Sequence, residues 1–465
     1  MAFTSYDFLL FFLIIFTLHW SFPKRRWQNL LLLAGSYYFY GWVQAWYAVM
    51  LGASTLADFF LARGIALRPN RKRLFVALSL ALNLGVLAFF KYYNFFSDDV
   101  ISLLNSMGFN TNPLLVQIAL PAGLSFFTLK KLGYMMDTSR GALKPTHTLV
   151  DFALYVSFFP QLIAGPIERP QKLLPQIEAP RIWKADLFHK AWPLIVMGFF
   201  KKLVIANSIQ VTVDRAFGFA EPSGFLVLSA SLGYTLQILA DFSAYTDLSR
   251  GVSYLLGFET SENFRQPYLS LTPTDFWNRW HITLSTWLRD YVFFPVRRAL
   301  LRFKLNEKLA ISIPPLVTMF ISGVWHGAGL NFVVWGLYYG VLIAAYQLIG
   351  IRGDWKPNSK LKLFFAWLLM FSLIAFGWGM FRAPSLAWFV NVMFNSPFAP
   401  SHNEFILGII TLTMALVYSL PLAAKHLLDR YAPEGWMQAA YHAAAVTLLI
   451  IYVNSASSDF IYFQF

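Results

Sequence analysis

Apolar runs long enough to cross a lipid bilayer recur from one end of this chain to the other. They cover residues 3–22, 27–50, 74–90, 191–206, 224–242, 361–381, 405–422 and 439–453, and a further run ends near residue 61. A helix needs about 20 apolar residues to cross a hydrocarbon core about 30 Å thick. Charged residues make up only 13% of the chain, about half the usual share in soluble proteins. The sequence therefore predicts an all-α, polytopic integral membrane protein and excludes soluble, disordered and coiled-coil classes.

The charged residues indicate how the chain crosses the membrane. The formal net charge is +14, from 37 Lys and Arg against 23 Asp and Glu, and basic residues of membrane proteins concentrate in cytoplasmic loops. We therefore expect no nucleic-acid partner. Basic clusters follow the first span at residues 24–26 and the third span at residues 63–73. The first span lacks a basic segment before it and a small-residue cleavage site after it, which predicts a retained helix. If both clusters are cytoplasmic, the N-terminus lies outside.

The chain contains no cysteine, which excludes disulfides, thiol nucleophiles and thiolate-ligated metals. Any chemistry must then use histidine, carboxylate, hydroxyl or amine side chains. We expect one membrane domain over residues 1–465, with N-terminal spans in residues 1–96, a catalytic core in residues 114–350 and C-terminal spans in residues 361–465.

Two apolar runs of the predicted core are interrupted by helix-breaking residues. Pro121 and Gly123 interrupt the run 114–127, and Pro160 and Gly165 interrupt the run 149–167. Irregular backbone at membrane level is tolerated only inside protein or beside a watery cavity. We therefore expect about ten to twelve transmembrane helices together with re-entrant or buried short helices.

The segment of residues 263–302 is too polar to face lipid and too aromatic for a solvated linker. Thr272, Pro273 and Asp275 form a helix start, with Thr272 as the N-cap and Pro273 in the first turn. A continuous helix from this point places Trp277, His281, Ser285 and Leu288 along one face. We expect this helix to enter the membrane partway or to lie against the bundle.

The apolar stretch of residues 311–349 is too long for one span. As a single helix it would measure about 58 Å at 1.5 Å per residue, nearly twice the hydrocarbon thickness of about 30 Å. The sequence predicts a break at Gly327, Ala328 and Gly329, directly after His326.

His326 is the leading candidate for chemistry, since an ionisable residue inside a span is costly and marks a functional site by default. Glycines and Trp325 surround it and permit close approach of a ligand. A packing histidine that bonds a carbonyl is an equally good interpretation of this local pattern. For His281 the structural interpretation is the stronger one, and a metal site made by His281 and His326 has no close histidine pairing to support it.

A third polar cluster lies at the end of the apolar run 224–242. Gln237, Asp241 and Tyr245 could line a polar tunnel, and Asp241 could orient a histidine. Asp247 and Arg250 have the spacing of a structural ion pair on a helix. No nucleophile elbow of the Gly-X-Ser-X-Gly type is present, so a serine nucleophile has little support.

Several strings, in this order along the chain, resemble the membrane-bound O-acyltransferase (MBOAT) family. They are Phe-Phe-Pro-Gln-Leu-Ile-Ala-Gly-Pro at residues 158–166, Asp-Phe-Ser-Ala-Tyr-Thr-Asp at 241–247, Phe-Trp-Asn-Arg-Trp-His at 276–281 and Ser-Gly-Val-Trp-His-Gly-Ala at 322–328. The strings at residues 120–128 and 460–465 extend the resemblance over nearly the whole chain. It is greatest to the bacterial branch of alginate O-acetyltransferase membrane subunits, which is related to the teichoic acid D-alanyl transfer protein.

The resemblance implies residue roles. His326 matches the essential histidine of the Trp-His-Gly string, and His281 matches the second histidine. Asp241, Asn278, Tyr245 and Gln237 are expected to line the substrate tunnel, with Trp277, Trp280, Trp287 and Trp325 excluding water. This chain departs from the family at Ala244 and Thr246, where glycine and serine are more usual. It also departs at Lys130 and Lys131, where uncharged residues are expected, and this second departure puts the acceptor or partner surface in doubt.

The implied reaction is transfer of an acyl group, acetyl being favoured, from a cytoplasmic donor to an extracytoplasmic polysaccharide hydroxyl or to a periplasmic partner protein. The donor is acetyl-CoA or another acyl thioester; no bound cofactor and no metal are expected. The location is the bacterial cytoplasmic membrane, with lipid around the bundle. A transporter or flippase for a lipid-linked or acyl substrate is the alternative, because broken helices and intramembrane polar residues also mark substrate pathways.

Overall fold

Every secondary-structure element in the described residues is helical. The computed structural model describes residues 1–108, 121–146, 148–303, 306–452 and 460. The α-helices are α1 (Tyr6–Ser21), α2 (Arg25–Gly41), α3 (Ala45–Leu67), α4 (Lys72–Ser106), α5 (Leu124–Arg140), α6 (Leu149–Ser157), α7 (Phe159–Leu162), α8 (Pro170–Glu178), α9 (Ala185–Phe199), α10 (Asn207–Phe217), α11 (Gly224–Leu255), α12 (Pro273–Arg279), α13 (Ile282–Leu288), α14 (Phe294–Arg302), α15 (Glu307–His326), α16 (Leu330–Leu348), α17 (Lys360–Arg382), α18 (Leu386–Phe394), α19 (His402–Tyr431) and α20 (Trp436–Tyr452). Two π-helical segments, Phe200–Ala206 and Arg289–Phe293, continue α9 and α13.

Eight helical segments among the described residues are long and apolar enough to cross a membrane. They are Ala45–Leu67, Pro69–Tyr93, Ala185–Phe217, Gly224–Leu255, Glu307–His326, Leu330–Leu348, Lys360–Arg382 and His402–Tyr431. Two further apolar helices, α1 and α20, are shorter than these, so the eight candidate spans of the described residues are fewer than the ten to twelve predicted. The predicted all-helical, multi-pass architecture is confirmed.

The helix boundaries correct one expectation and confirm another. The apolar run 27–50 is not a single span, because α2 ends at Gly41 and α3 begins at Ala45. The interrupted run 114–127 lies partly outside the described residues. The long stretch 311–349 breaks as predicted, since α15 ends at His326 and α16 begins at Leu330.

The chain divides into two compact units, Met1–Ala191 with Ser249–Ser261, and Trp192–Leu248 with Glu262–Phe465. The finer division into residues 1–96, 114–350 and 361–465 stays a prediction. In the first unit the carboxylate of Asp58 lies fully buried and accepts hydrogen bonds from Ser79 and Asn83 at 2.5 and 2.8 Å. Lys131 forms an ion pair with it at 3.4 Å. Lys131 is therefore buried in the interior of this unit and paired there with a carboxylate.

In the second unit, α15 and α16 touch backbone to backbone. A Cβ atom on Gly323 would lie 2.3 Å from the carbonyl oxygen of Phe332, and one on Gly336 would lie 2.2 Å from that of Met319. Small residues permit such close approach between membrane helices, where van der Waals packing replaces the hydrophobic effect as the main attraction. This packing fixes the end of α15, and with it His326.

Candidate functional site

His326 is the last residue of α15, and its imidazole packs against aromatic side chains. Its side chain is only 6% exposed, and its ring centroid lies 5.1 Å from that of Trp335 and 5.3 Å from that of Phe381. The helix ends here because Gly327 takes an extended conformation. Position 327 has no room for a larger residue, since a Cβ there would collide with the ring of Phe332. The predicted break thus places a buried imidazole at a helix terminus.

His281 lies between two short helices, which corrects the predicted continuous helix. The N-cap of α12 is Thr272, as predicted, and its side chain accepts a hydrogen bond from the backbone of Asp275 at 3.1 Å. The helix then ends at Arg279, and His281 has a left-handed backbone with φ of 41°. Trp277, His281, Ser285 and Leu288 therefore do not share one helical face.

Hydrogen bonds from an upstream segment stabilise the break between α12 and α13. The amide of Ile282 donates to the carbonyl of Asn263 at 3.0 Å. The side-chain oxygen of Asn263 accepts from both the backbone and the hydroxyl of Thr283. A left-handed conformation is uncommon for a residue other than glycine and is held only where the surroundings impose it. His281 is thus fixed in position by residues about twenty positions away in sequence.

The imidazole of His281 is almost completely buried, and it lies outside the eight candidate spans. Burial lowers the pKa of His281 to about 3, because an apolar environment disfavours the charged form. The ring is therefore neutral near pH 7, with one nitrogen able to donate and the other able to accept a hydrogen bond.

The two histidines meet around one indole. The ring centroid of Trp325 lies 4.8 Å from that of His326 and 6.5 Å from that of His281. Phe242 of α11 packs edge-on against His281 at 4.8 Å. The structure thus brings His281 to Trp325 and His326, which belong to a separate string, and it surrounds both imidazoles with apolar rings.

The predicted tryptophans differ in position. Trp280 is buried and packs against Trp378 at 4.7 Å, whereas Trp277 contacts Trp335 at 5.8 Å and Tyr339 at 5.2 Å. Trp335 and Tyr339 are fully buried and were missed in the sequence. Their spacing of four residues on one helix face was the available signal, but an aromatic pair of this kind is common in membrane spans.

The acidic residues of α11 pair with two lysines that the sequence did not single out. Lys202 forms an ion pair with Asp241 at 2.7 Å, and both side chains are at most 4% exposed. Lys201 pairs with Asp247 at 2.6 Å and donates to Ser243 at 2.9 Å. The expected pairing of Asp247 with Arg250 is therefore wrong. Both lysines lie in the π-helical segment Phe200–Ala206, whose widened turn places consecutive residues against α11.

Tyr245 belongs to the same polar region. Its ring centroid lies 4.9 Å from that of Phe460, and the ammonium of Lys202 lies 4.5 Å from the same phenyl ring. A cation over an aromatic face is stabilised by the ring quadrupole. Tyr245 and Asp241 thus lie around Lys202.

Three further predicted tunnel residues differ in burial. Asn278 is exposed on α12, so it does not join the buried group around Trp325. Trp287 is buried and packs against Tyr291 at 4.9 Å. Gln237 is buried on α11, and its side-chain oxygen has no hydrogen-bond partner within the described part of the chain.

The arrangement suits proton transfer in a dry, apolar site. Among the described residues, no three histidine, aspartate or glutamate side chains come together as metal ligands. What the site offers is a pair of imidazoles and a ring of aromatic side chains that keeps water away. A neutral imidazole accepts a proton through one ring nitrogen, which is the chemistry of a general base.

Comparisons with known proteins agree with this chemistry. Residues 86–352 match the model of MBOAT, the membrane-bound O-acyltransferase family. The chain is 35% identical over 395 residues to the probable alginate O-acetylase of Pseudomonas aeruginosa, covering 83% of this chain and 74% of that protein. It is 33% identical over 396 residues to the peptidoglycan O-acetyltransferase of Helicobacter pylori, covering 78% and 72%. Against the teichoic acid D-alanyltransferase of Bacillus subtilis the identity is 31% over 280 residues, covering 56% and 68%.

Proposed function

Because this chain belongs to the membrane-bound O-acyltransferase family, and is thus a multi-pass membrane O-acyltransferase, we propose that His326 and His281 form its reaction centre and that acetyl is the group it transfers. The observation that supports this most directly is the indole of Trp325, which contacts both imidazoles. Family membership also favours group transfer over the transporter alternative.

In the proposed reaction, His326 accepts the proton of an acceptor hydroxyl while the hydroxyl oxygen attacks the carbonyl carbon of an acyl thioester. The tetrahedral intermediate collapses, the carbon–sulfur bond breaks, and the imidazolium returns its proton to the leaving thiolate. The products are an ester and a free thiol, so charge and protons balance. His281, neutral at physiological pH, holds an oxygen of the acceptor or donor by a hydrogen bond.

The proposed donor is acetyl-CoA or another acyl thioester from the cytoplasm, and the acceptor is a hydroxyl of an extracytoplasmic polysaccharide. The relatives named above act, by name, on alginate and peptidoglycan, which supports a polymer acceptor outside the cytoplasmic membrane. Transfer through a periplasmic acetyltransferase-type partner is part of the same proposal, since a partner with its own nucleophile can pass the acetyl group on to the polymer.

His326→Ala tests the assignment, with His442→Ala as the matched control. Both histidines are 6% exposed, but His442 lies on α20 and its ring bonds the carbonyl of Gln438 at 2.7 Å. General acid–base assistance is worth about 10²–10⁴-fold. With purified protein in lipid nanodiscs, labelled acetyl-CoA and an added acceptor or partner, we expect His326→Ala to lose transfer by that factor and His442→Ala to keep it. Equal activity in both variants would remove His326 from the reaction.

The proposed topology places the N-terminus outside and the basic clusters 24–26 and 63–73 in the cytoplasm. A chain without cysteine can be labelled at single introduced thiols. In intact bacterial spheroplasts, a membrane-impermeant maleimide should label Ala2→Cys directly and Asn70→Cys only after the membrane is opened. The reverse pattern would invert the topology.

A further inference from the structure

Three aromatic side chains, one of which contacts His326, carry buried polar atoms that have no role in the proposed reaction. Trp277, Trp335 and Tyr339 form a closed triangle, which we call the indole triangle, with ring centroids 5.8, 5.2 and 5.4 Å apart. Trp335 and Tyr339 are fully buried. Among the described residues, no hydrogen-bond partner lies within reach of Trp277 Nε1, Trp335 Nε1 or Tyr339 Oη.

Buried donors without a partner are costly. Burial of an unsatisfied polar group costs about 1–3 kcal/mol, and tryptophan and tyrosine usually find a partner for the N–H or O–H when buried. Two other indole N–H groups of the same unit do so, since Trp367 donates to the carbonyl of Tyr268 at 2.9 Å and Trp388 to that of Phe219 at 3.0 Å, whereas Trp378, which packs against Trp335, has no partner for its N–H among the described residues. Three unsatisfied atoms in mutually contacting rings therefore indicate a ligand.

The chemistry of the triangle defines the ligand. An indole nitrogen only donates, whereas a phenol both donates and accepts, so the triangle offers up to three donors and one acceptor. Within the described part of the chain, no carboxylate or amide side chain hydrogen-bonds to these three atoms. Because donors outnumber the single acceptor, such a set suits an oxygen that accepts several hydrogen bonds, such as a carbonyl oxygen, better than a sugar hydroxyl, which also donates one.

One ring of the indole triangle contacts the proposed base. Trp335 contacts both Tyr339 and His326, with a centroid distance of 5.1 Å to the imidazole. Building on the proposed function, we propose that the indole triangle binds the carbonyl oxygen of the acyl thioester and stabilises the negative charge on it. When the acceptor oxygen attacks, the π electrons of the carbonyl bond move onto this oxygen. They return to re-form the carbonyl as the carbon–sulfur bond breaks.

Conservative variants test the proposal, because phenylalanine retains a ring and removes the donor. Trp335→Phe, Trp277→Phe and Tyr339→Phe should each lower kcat by about 10²–10³-fold, the usual effect of removing one oxyanion donor, with little change in the KM of the acceptor. Trp367→Phe is the matched control, since it removes an indole N–H that already has a backbone partner outside the triangle. Its kcat should equal that of the wild type.

A carbonyl probe separates ligand binding from structural support. Infrared spectra are recorded with a ketone analogue of acetyl-CoA that carries ¹³C at the carbonyl. Hydrogen bonds from the triangle should shift this band to lower frequency in the wild type and in Trp367→Phe, and less in Trp335→Phe. Gly377→Ala adds a steric test, because a Cβ there would lie 2.8 Å from Tyr339 Oη; it should reduce the shift without removing a donor.

The outcomes distinguish this proposal from the one on which it rests. If the wild type transfers no acetyl group from any thioester, the proposed function fails. If the wild type is active but the triangle variants keep its kcat and its carbonyl band, the proposal for the triangle is overturned. A higher acceptor KM with unchanged kcat would instead place the acceptor there, and would also overturn it.

Discussion

The buried ion pair between Lys202 and Asp241 allows a quantitative test of what holds the π-helical segment Phe200–Ala206 against α11. The two charged groups are 2.7 Å apart and at most 4% exposed. Removal of one partner leaves an uncompensated buried charge, which costs about 3–5 kcal/mol, whereas replacement of both by apolar residues of similar volume is often neutral or stabilising. Lys202→Met and Asp241→Leu should therefore each destabilise the protein by about that amount.

The double variant Lys202→Met/Asp241→Leu should recover most of this stability, although the single effects would add to about 6–10 kcal/mol if the two residues were independent. The assay is unfolding of the detergent-solubilised protein, followed by the loss of helical circular dichroism. Lys201→Met is the control, since its ion pair with Asp247 is more exposed, at 12% and 17%, and its loss should be smaller.

Acetyl transfer by the same variants separates a structural from a chemical role of Asp241. If the ion pair serves to hold the π-helical segment against α11, the double variant folds and retains transfer. A stable but inactive double variant would instead support the predicted role of Asp241 in the tunnel or in orienting a histidine. A double variant as unstable as the sum of the single ones would refute the energetic reasoning.

Two further predictions follow from the packing and the burial of the site. Gly336→Ala should destabilise the protein by about 1–3 kcal/mol, because a Cβ there would lie 2.2 Å from a backbone carbonyl. The control is Gly85→Ala, whose added Cβ meets no atom within 4 Å. Equal melting temperatures of the two variants would contradict the close contact of α15 and α16. The second concerns pH: the pKa of His281 is about 3 in the folded protein and about 6.5 in the unfolded chain, so below pH 6.5 the unfolded chain binds a proton that the folded protein does not. As the pH falls from 6.5 to 3, the free energy of unfolding should then decrease by about 1.4 kcal/mol per pH unit. Between pH 7.5 and pH 5.5, the melting temperature should decrease more for the wild type than for His281→Gln. Equal decreases would show that His281 takes up the proton in the folded state.

Local features of the site could be predicted from the sequence. The break after His326 followed from the length of one apolar stretch and three small residues, and the helix start at Thr272 followed from a capping pattern within four positions. Both depend on interactions between near neighbours in the chain. The resemblance of ordered strings then identified the family, which no local argument provides.

Distant interactions could not be predicted. The left-handed backbone of His281 depends on Asn263, and the partner of Asp247 is Lys201 on another element rather than Arg250 on its own helix. In the sequence, Trp335 and Tyr339 do not differ from other apolar residues of a span. Only the fold shows that Trp335 contacts His326 and that both residues contact Trp277. A sequence shows which residues are costly to bury, whereas the partners that offset this cost come from packing.

The backbone contact between α15 and α16 also limits how the enzyme can work. Helices in which the glycine Cα atoms of one lie against the carbonyls of the other cannot slide or rotate past each other without losing that contact, and only three residues join them. His326 therefore keeps its position relative to α16. A carrier moves its binding site between two faces of the membrane, whereas in the proposed reaction the base stays fixed to this helix pair, and the proposed thioester and acceptor travel to it.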